Sequence, residues 1–387
     1  MGKATGAMAQ AVEQVWFGPL SGVVVVPLGT APTLRKIRVV QSSHPVPDES
    51  SLRAGCLLFD AVTGLTENDQ VIALISGGGS ALCAMPAAGL ALAEKQRVTR
   101  ELLLRGASIS EMNVVRKHLS AIKGGRLAAR ARPAKVFSLV ISDIPGDDAA
   151  MVASGPTFGD HSTCGDALAV LARYGIALAQ TAVDALTSGL WESVKPSDPR
   201  LAGHRFQIAS SAVEGLQAAA SYLTRECAVP VHILSDAIEG ESREIAKMHA
   251  AIATRVFQHA GPFRPPCVLL SGGETTVTVK GQGRGGRNTE FSLAMALALR
   301  EHPGIYALSA GTDGLDGNSG AAGAWIGPDS LRQLREAGVN PVASLDANDS
   351  GAALDCIGHL VRTGPTLTNV NDFRAVWVDD GKRLHTR

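Results

Sequence analysis

The sequence has no long hydrophobic run, no net charge and no closely spaced pair of cysteines. No apolar run reaches the roughly 18 residues that a membrane-spanning helix needs, and the first residues lack the charged-then-apolar pattern of a secretory signal. The formal net charge is zero, which argues against nucleic acid or an anionic membrane as a bulk partner. The six cysteines are scattered without a C-x-x-C pair, so we expect buried thiols in a reducing, cytoplasmic environment.

The composition that remains is typical of a globular enzyme. Hydrophobic residues make up 45% of the 387 residues and charged residues 19%. A chain of this length suffices for two domains of ordinary size. The polar, proline-containing stretch 193–203 is the best candidate boundary, which predicts lobes at 1–200 and 201–387. The sequence does not give the oligomeric state and leaves a homodimer open.

Short apolar segments alternate with helical patterns over most of the chain. Strands are predicted at residues 22–27, 71–75, 135–141, 229–234, 267–270 and 305–309. Helices are predicted at residues 92–105, 110–122, 164–174, 212–226, 241–259, 290–300 and 330–336. This alternation predicts an α/β protein with mainly parallel sheets.

The most informative stretch is Gly-Gln-Gly-Arg-Gly-Gly-Arg-Asn at residues 281–288. Its glycines allow the backbone to turn N–H groups towards one point, and Arg284 and Arg287 add fixed charge, so the loop is expected to hold an anion such as phosphate. The run also satisfies G-x-G-x-x-G, the dinucleotide fingerprint. The preceding Thr-Val-Thr-Val-Lys alternates like a half-exposed antiparallel strand, however, and the two arginines suit phosphate oxygens, which favours phosphoryl transfer.

A second glycine-rich loop follows the predicted strand 71–75. It reads Ser76, Gly77, Gly78, Gly79 and Ser80, and a short helix is expected after it. Ligands collect at the carboxyl ends of parallel strands, and N–H groups there attract anions. The alternative is a tight turn that needs a positive φ.

Two groups of carboxylates follow predicted strands. Asp313 lies between glycines after the strand 305–309 and is a candidate base or Mg²⁺ ligand, unless it only caps its loop as an Asx-turn. Asp143, Asp147 and Asp148 follow the strand 135–141 and could hold a divalent cation, although Pro-Gly-Asp is also ordinary turn chemistry.

Several basic residues have a weaker case. Arg116 and Lys123 are spaced to share one face of a predicted helix, for which a solvated basic face is the commoner explanation. His44 lies in an extended, proline-rich loop and is typical of an exposed or structural histidine. Lys3 is so near the chain end that, taken alone, it is expected to be disordered.

Taken together, these motifs resemble the glycerate kinases of the MOFRL type. The matching runs occur in family order along nearly the whole chain. They are Gly-Lys-Ala at 2–4, His-Pro-Val-Pro-Asp at 44–48, Ser-Gly-Gly-Gly-Ser-Ala-Leu at 76–82, Val-Arg-Lys-His-Leu-Ser at 115–120 with Lys-Gly-Gly-Arg at 123–126, Ser-Asp-Ile-Pro-Gly-Asp-Asp at 142–148, Ser-Gly-Pro-Thr at 154–157, Ser-Gly-Gly-Glu-Thr-Thr at 271–276, Gly-Arg-Gly-Gly-Arg-Asn at 283–288, Gly-Thr-Asp-Gly at 311–314, and Thr-Gly-Pro-Thr at 363–366 with Thr-Asn-Val-Asn-Asp at 368–372.

This resemblance implies a fold and an activity. The expected fold is an N-terminal Rossmann-like three-layer domain and a smaller C-terminal α/β MOFRL domain with a mixed sheet, with a cleft between them. The expected reaction is ATP-dependent phosphorylation of D-glycerate to 2-phosphoglycerate, with Mg²⁺. Members of the family usually carry a helix and a strand before Gly-Lys-Ala, whereas the given sequence begins at that motif; without that strand, Lys3 is expected to lack its anchor and the protein to lose activity.

The resemblance also assigns roles to residues. The expected catalytic set is Lys3, Arg287 and Asp313. Lys3 and Arg287 would stabilise the transferred phosphoryl group, and Asp313 would orient or deprotonate the substrate hydroxyl. From the residues themselves we further expect nucleotide or phosphate binding by Ser76, Gly77, Gly78, Gly79, Ser80, Gly283, Arg284, Gly285 and Gly286, substrate binding by His44 and Arg116, and metal binding by Asp143 and Asp147.

Two other functions stay open at the level of sequence. The first is an NAD(P)-dependent hydroxypyruvate reductase, for which residues 281–286 would bind the dinucleotide; Asp313 lies beyond the usual offset of about 20 residues for the ribose-binding acid. The second is a non-catalytic binding protein that keeps the fold. ATP and glycerate binding without turnover would identify the second.

Overall fold

The computed structural model describes residues 1–30, 32–259 and 261–381, and these divide into two compact units. The first unit contains residues 1–142 and 147–209; the second contains residues 143–146 and those from 210 onwards. No helix among the described residues is both long and apolar enough to cross a lipid bilayer. Each unit combines sheets with helices, so the predicted α/β class is confirmed.

Five strands form the sheets of the first unit. They are β1 (Gly22–Pro27), β2 (Ile37–Ser42), β3 (Gln70–Ile75), β4 (Lys135–Ile141) and β5 (Arg205–Ser210). β1 pairs with β2 in parallel, and β3 pairs with β4 in parallel, with β5 on the other side of β4. Helices lie between β3 and β4 in the chain, which is the pattern that the sequence predicts for a parallel pair.

Eight helices surround these strands. They are α1 (Thr5–Val15), α2 (Glu49–Ala61), α3 (Gly79–Leu82), α4 (Leu92–Leu104), α5 (Ile109–His118), α6 (Arg126–Ala131), α7 (Cys164–Arg173) and α8 (Gln180–Thr187). Capping boxes fix where three of them start: Asp48 begins α2, Ser108 begins α5 and Thr163 begins α7. Helices α4, α5, α7 and α8 share a separate apolar core.

The second unit is built on a six-stranded mixed sheet. Its strands are β6 (Val231–Ser235), β8 (Cys267–Gly273), β10 (Ile305–Gly311), β11 (Gly323–Ile326), β12 (Leu360–Val361) and β13 (Asp372–Val378), in the order β12-β11-β10-β13-β8-β6. Only the β6–β8 pair of this sheet is parallel. The short strands β7 (Gly240–Glu241) and β9 (Thr275–Thr276) pair with each other separately.

Helices cover both faces of this sheet. They are α9 (Ala212–Glu226), α10 (Ser242–His259), α11 (Arg287–Leu299), α12 (Ser330–Glu336), α13 (Pro341–Asp346) and α14 (Ser350–Cys356). Side chains alternate along a strand, so Val268 and Leu270 of β8 pack with α9, whereas Leu269 packs in the core that contains α10 and α11. Helix α11 is apolar around most of its circumference and is buried within that core.

Two predictions about strands are wrong. The prediction of mainly parallel sheets fails for the six-stranded sheet, where four of the five pairs are antiparallel, whereas β1–β2, β3–β4 and β7–β9 are parallel pairs. The alternating Thr-Val-Thr-Val-Lys run does not form an antiparallel strand either, since only Thr275–Thr276 pairs, in parallel with Gly240–Glu241. In both cases the local pattern describes how exposed a strand is but not which partner it finds.

Candidate functional site

Backbone hydrogen bonds hold the segment that carries Lys3 in the first unit. The Gly2 N–H donates to Val25 O of β1 (3.2 Å), and the Lys3 N–H donates to Gly77 O just after β3 (2.9 Å). The Ala4 N–H donates to the buried Ser76 hydroxyl at 3.1 Å. Lys3 is therefore anchored to both strands, and the expectation that a residue so near the chain end is disordered is wrong.

Lys3, His44 and Gly78 meet at one place. Gly78 has φ +82°, and a Cβ built on it would lie 3.2 Å from the His44 ring and 3.2 Å from Lys3 Cγ. A side chain at position 78 would therefore be strained and would crowd both residues. Three residues that the sequence analysis assigned to one site are thus brought together by the fold, while His44 remains exposed.

The loop 76–80 has unused hydrogen-bond donors. The Ser76 N–H donates to Met1 O at 3.2 Å. In contrast, no acceptor among the described parts of the chain pairs with the N–H groups of Gly77, Gly78, Gly79 or Ser80. Converging N–H groups beside a lysine form a suitable environment for an anion. Helix α3 behind them has four residues, so the loop N–H groups and not a long helix supply the donors.

A buried polar chain extends from the end of this loop. The Ser80 and Ser154 hydroxyls are 2.7 Å apart, and Ser154 donates to Asn113 Oδ1 at 2.8 Å. Ala153 and Ser154 have φ values of 52° and 61°, in the left-handed region that side chains disfavour. Strain of this kind persists where surrounding contacts fix it, and it is concentrated at functional sites.

The prediction of a solvated basic helix face is wrong. Helix α5 ends at His118, and Lys123 lies beyond it, buried, with its ammonium donating to Ala153 O at 3.0 Å. Lys117 is also buried and pairs with Asp160 at 3.0 Å. Arg126 donates to the carbonyls of Lys117, Lys123 and Trp191, so it organises the backbone. Arg116 is half-buried on α5.

In the second unit, candidate residues gather where three strands meet at one edge of the sheet. β8 ends at Gly273 and β10 ends at Gly311, both opposite Asp372 at the start of β13. Glu274 follows the first of these ends, and the loop with Asp313 follows the second. Ligands of α/β proteins are commonly bound at the carboxyl ends of strands.

Arg287 reaches this edge from the first turn of α11. Its Nε donates to Asp372 Oδ1 (2.9 Å) and one terminal nitrogen donates to Glu274 Oε1 (2.6 Å). Burial acts to lower the pKa of Arg287, but the carboxylates of Asp372 and Glu274 outweigh it, so the pKa is raised. The guanidinium is charged and oriented before any ligand binds.

Asp372 is itself held by a fully buried arginine. Arg374 donates to Asp372 Oδ2 at 3.0 Å, and Asn288 donates to Asp372 Oδ1 at 2.9 Å. Both Asp372 and Arg374 have side chains with no exposed area. These ion pairs form a chain of alternating charges, here called the ladder, that extends from the surface into the core. Its members are Glu274, Arg287, Asp372 and Arg374.

The glycines at 281–286 do not form the expected N–H cradle in this structure. Gly283, Gly285 and Gly286 donate their N–H groups to Ala347 O, Asn318 Oδ1 and Thr289 Oγ1. A Cβ on Gly283 would lie 2.4 Å from Asp349 Cβ, so the loop needs glycine for close packing. Arg284 pairs with Asp355 at 2.6 Å, not with the partners of Arg287. Phosphate binding by residues 283–286 stays a prediction.

The N-terminus of α11 is already capped by a carboxylate. Buried Asp316 accepts the N–H groups of Asn288 (2.8 Å) and Thr289 (2.9 Å). Burial raises the pKa of Asp316. This cap occupies the helix end at which a dinucleotide fingerprint would place a pyrophosphate.

Asp313 forms an Asx-turn, which was the alternative to a role as base or Mg²⁺ ligand. Its Oδ1 accepts the Leu315 N–H at 3.0 Å. Asn371 connects the loop that carries Asp313 to Asp143. Its main-chain oxygen accepts the Thr312 N–H (3.0 Å), and its Nδ2 donates to Asp143 O (2.7 Å). Asp143 and the Asp313 loop are thereby joined in the second unit, whereas Asp147 belongs to the first unit.

Asp143 and Asp147 do not belong to a ready-made metal cage. Among the described residues, the group of three potential ligands within 4.8 Å of one another is His118, Cys164 and Glu192, in the first unit. There Lys195 pairs with the same Glu192 oxygen that faces His118. Metal binding by Asp143 and Asp147 stays a prediction.

Sequence reasoning missed Asn113, Ser154, Asp372 and Arg374 as members of these sites. Asp372 and Arg374 lie two residues apart in Asp-Phe-Arg-Ala-Val-Trp-Val, and both side chains lie on the buried face of β13 with Val376. Opposite charges two residues apart in an apolar strand could have indicated a buried ion pair. Nothing in the local sequence distinguishes Asn113 from any other polar residue of a helix.

The fold defines a two-unit α/β enzyme whose candidate residues gather at the ends of strands. Residues 1–187 match the family described as "Domain of unknown function (DUF4147)", and residues 267–372 match the MOFRL family. The D-glycerate 2-kinase of Thermotoga maritima is 40% identical over 96% of this chain and 88% of its own length. The chain belongs to this glycerate kinase family.

Other relatives show the same extent of similarity. A crystal structure of glycerate kinase from Thermotoga maritima superposes with a TM-score of 0.87 at 40% identity, covering 97% of this chain and 90% of that one. A protein of Agrobacterium vitis described as a putative hydroxypyruvate reductase is 49% identical over 97% of this chain and 86% of its own length. The resemblance inferred from the motifs is confirmed.

Proposed function

We propose that this protein catalyses ATP-dependent phosphorylation of D-glycerate to 2-phosphoglycerate. Its relatives from Thermotoga maritima, Pyrococcus horikoshii and Homo sapiens are described as glycerate kinases, and it aligns with them over at least 96% of its length. Their match extends through both units, which contain the candidate residues.

The observation that carries this proposal is the hydrogen bonding of Arg287. Nε and one terminal nitrogen are bound by Asp372 and Glu274, while no acceptor in the described ranges binds the second terminal nitrogen. A guanidinium fixed by two carboxylates can direct its remaining N–H groups at a phosphoryl oxygen without rearranging during the reaction. Phosphoryl transfer depends largely on such positioning and charge neutralisation.

The other predicted roles are compatible with this chemistry. Lys3, whose Cγ lies near Gly78, would neutralise phosphate charge with its ammonium. Asp313 would accept the proton of the substrate hydroxyl or hold that hydroxyl for attack. We infer catalytic or phosphate-binding roles for Lys3 and residues 76–80 in the first unit, and for Arg287 and Asp313 in the second.

Asp143 provides one carboxylate that could bind a divalent cation together with the nucleotide. Its Oδ2 accepts from Asn369 Nδ2 at 3.3 Å. One or two carboxylates together with nucleotide phosphates are a usual set of ligands for Mg²⁺. Mg²⁺ bound with ATP would supply additional neutralisation of phosphate charge.

The reductase alternative receives less support. One relative is described as a putative hydroxypyruvate reductase, which is the support for this alternative. The G-x-G-x-x-G run at 281–286, however, does not offer free N–H groups to the pyrophosphate of a dinucleotide. The glycine N–H groups are bound within the protein, and Asp316 occupies the start of α11.

Two arginines of the second unit allow a matched test. Arg287→Lys keeps the charge but cannot hold Asp372, Glu274 and a phosphoryl oxygen at the same time, so kcat for D-glycerate should fall by about two orders of magnitude. Arg332→Lys should change kcat less than about threefold, because Arg332 lies in exposed ion pairs with Asp329 and Glu336. An ADP-release assay measures both. Equal losses in the two variants, or none in Arg287→Lys, would contradict the role given to Arg287.

A further inference from the structure

Helix α5 carries two side chains whose hydrogen-bond donors find no acceptor among the described residues. Asn113 and Arg116 are three residues apart, so they share one side of the helix. Within the described parts of the chain, no acceptor pairs with Asn113 Nδ2 or with the Arg116 guanidinium. Two neighbouring donors of this kind can pair with the two oxygens of one carboxylate.

The orientation of Asn113 is set by its other contact. Ser154 donates its single hydroxyl proton to Asn113 Oδ1, which directs Nδ2 away from the Ser154–Ser80 pair. Asn113 is 2% exposed. Nδ2 itself is not fully enclosed, so the acceptor of a ligand can replace water at this donor.

The surroundings of these donors are positively charged. Lys123 and Lys95 are both buried, and their ammonium groups donate to backbone carbonyls, at Ala153 (3.0 Å) and Leu119 (2.7 Å). Burial and the neighbouring Arg116 lower the pKa of Lys123 to about 8, and burial lowers the pKa of Lys95. No carboxylate of the described residues forms an ion pair with Arg116, Lys123 or Lys95. An anion among them would relieve this repulsion.

This donor cluster adjoins the loop 76–80. Ser154 bonds to Ser80, and a Cβ on Gly79 would lie 2.7 Å from the Cβ of Ala153. A small molecule whose hydroxyl lies near Lys3 and Gly78 could therefore extend a charged end towards Asn113. In a hydroxy acid that end is a carboxylate, which needs donors of its own once it leaves water.

We propose that Asn113 Nδ2 and the Arg116 guanidinium bind the carboxylate of the hydroxy-acid substrate. The proposal rests on the function proposed above and adds to it the residue Asn113 and the subsite. Lys123 supports the subsite through its charge, and Ser154 orients Asn113. The charge of Arg116 thus selects for an acid over the corresponding uncharged polyol.

The test compares binding of D-glycerate and of a non-hydrolysable ATP analogue by calorimetry, each without the other. Asn113→Asp preserves the size of the side chain and the Oδ1 acceptor for Ser154, but replaces the donor with an anion. It should weaken D-glycerate binding at least about tenfold and leave the nucleotide analogue unchanged. Arg116→Met should do the same, and Asn68→Ala, at an exposed position, should change neither affinity.

Steady-state kinetics separates this proposal from the function on which it rests. For Asn113→Asp, KM for D-glycerate should rise at least about tenfold while KM for ATP stays constant. The subsite would be overturned if Asn113→Asp and Arg116→Met bound D-glycerate as tightly as the wild type, or if they weakened binding of the nucleotide analogue instead. Neither result would contradict the kinase function. Binding of D-glycerate that depends on Asn113, without any ADP release from wild-type protein, would overturn the kinase and keep the subsite.

Discussion

In the second unit, the buried charged residues stabilise one another by compensating opposite charges. Arg374 is completely buried, and its charge is balanced by Asp372, which also orients Arg287. Burial raises the pKa of Asp372, but Arg287 and Arg374 act to keep it ionised. A buried pair of this kind gives little net stability compared with apolar residues, but removing one partner leaves an isolated charge.

Asp372→Asn should therefore destabilise the protein strongly. We expect a loss of about 3 kcal/mol in the free energy of unfolding, measured by urea denaturation, because Arg374 would remain buried without a counter-charge. Glu274→Gln, at the exposed end of the same ladder, should cost less than about 1 kcal/mol. Similar losses in the two variants would show that burial does not control the energetics of the ladder.

At the scale of elements, the loop 281–286 and helix α11 are shaped by packing as much as by ligand chemistry. Gly281, Gly283 and Gly286 each lie where a Cβ would approach other atoms within about 2.5 Å, and the partners are Ala347, Asp349 and Asp316. The start of α11 is fixed by the Asp316 cap, which sets the position of Arg287 in its first turn. Loop packing thus determines where the guanidinium lies.

Gly283→Ala should therefore lower the stability of the protein, whether or not a ligand is bound. The added methyl group meets the backbone and Cβ of Asp349, and such overpacking should cost about 1–3 kcal/mol in thermal unfolding. Gly215→Ala is the matched control, since Gly215 lies inside α9 with only an ordinary contact to Val370. It should stabilise the protein by about 0.5–1 kcal/mol. An unchanged or higher melting temperature for Gly283→Ala would refute this view of the loop.

Some elements could be predicted from the sequence, and others could not, for definable reasons. The predicted segments 22–27, 135–141, 212–226 and 330–336 coincide with β1, β4, α9 and α12, because their apolar periodicity is strong. Strand β2 was missed because Arg38 and Gln41 interrupt its apolar pattern, and β5 because Arg205 and Gln207 do so. Their pairing is decided by neighbouring strands, which a local pattern does not contain.

At the scale of the whole molecule, the motifs predicted the family and the composition of the site better than its geometry. Lys3, His44 and Gly78 converge as the resemblance implies, and Arg287 lies at a sheet edge beside the Asp313 loop. The glycine-rich run at 281–286 had the right composition for an anion loop, but its N–H groups are bound within the protein. Composition cannot show which N–H groups tertiary contacts will use.

The proposed reaction transfers a phosphoryl group to the bound hydroxy acid and involves no reduction. To test it, purified protein is incubated with D-glycerate, ATP and Mg²⁺, ADP release is followed, and the product is identified by phosphorus NMR; NADH oxidation with hydroxypyruvate is assayed in parallel. We expect 2-phosphoglycerate in equal amount to ADP and no NADH oxidation. NADH oxidation without ADP release would refute the kinase function.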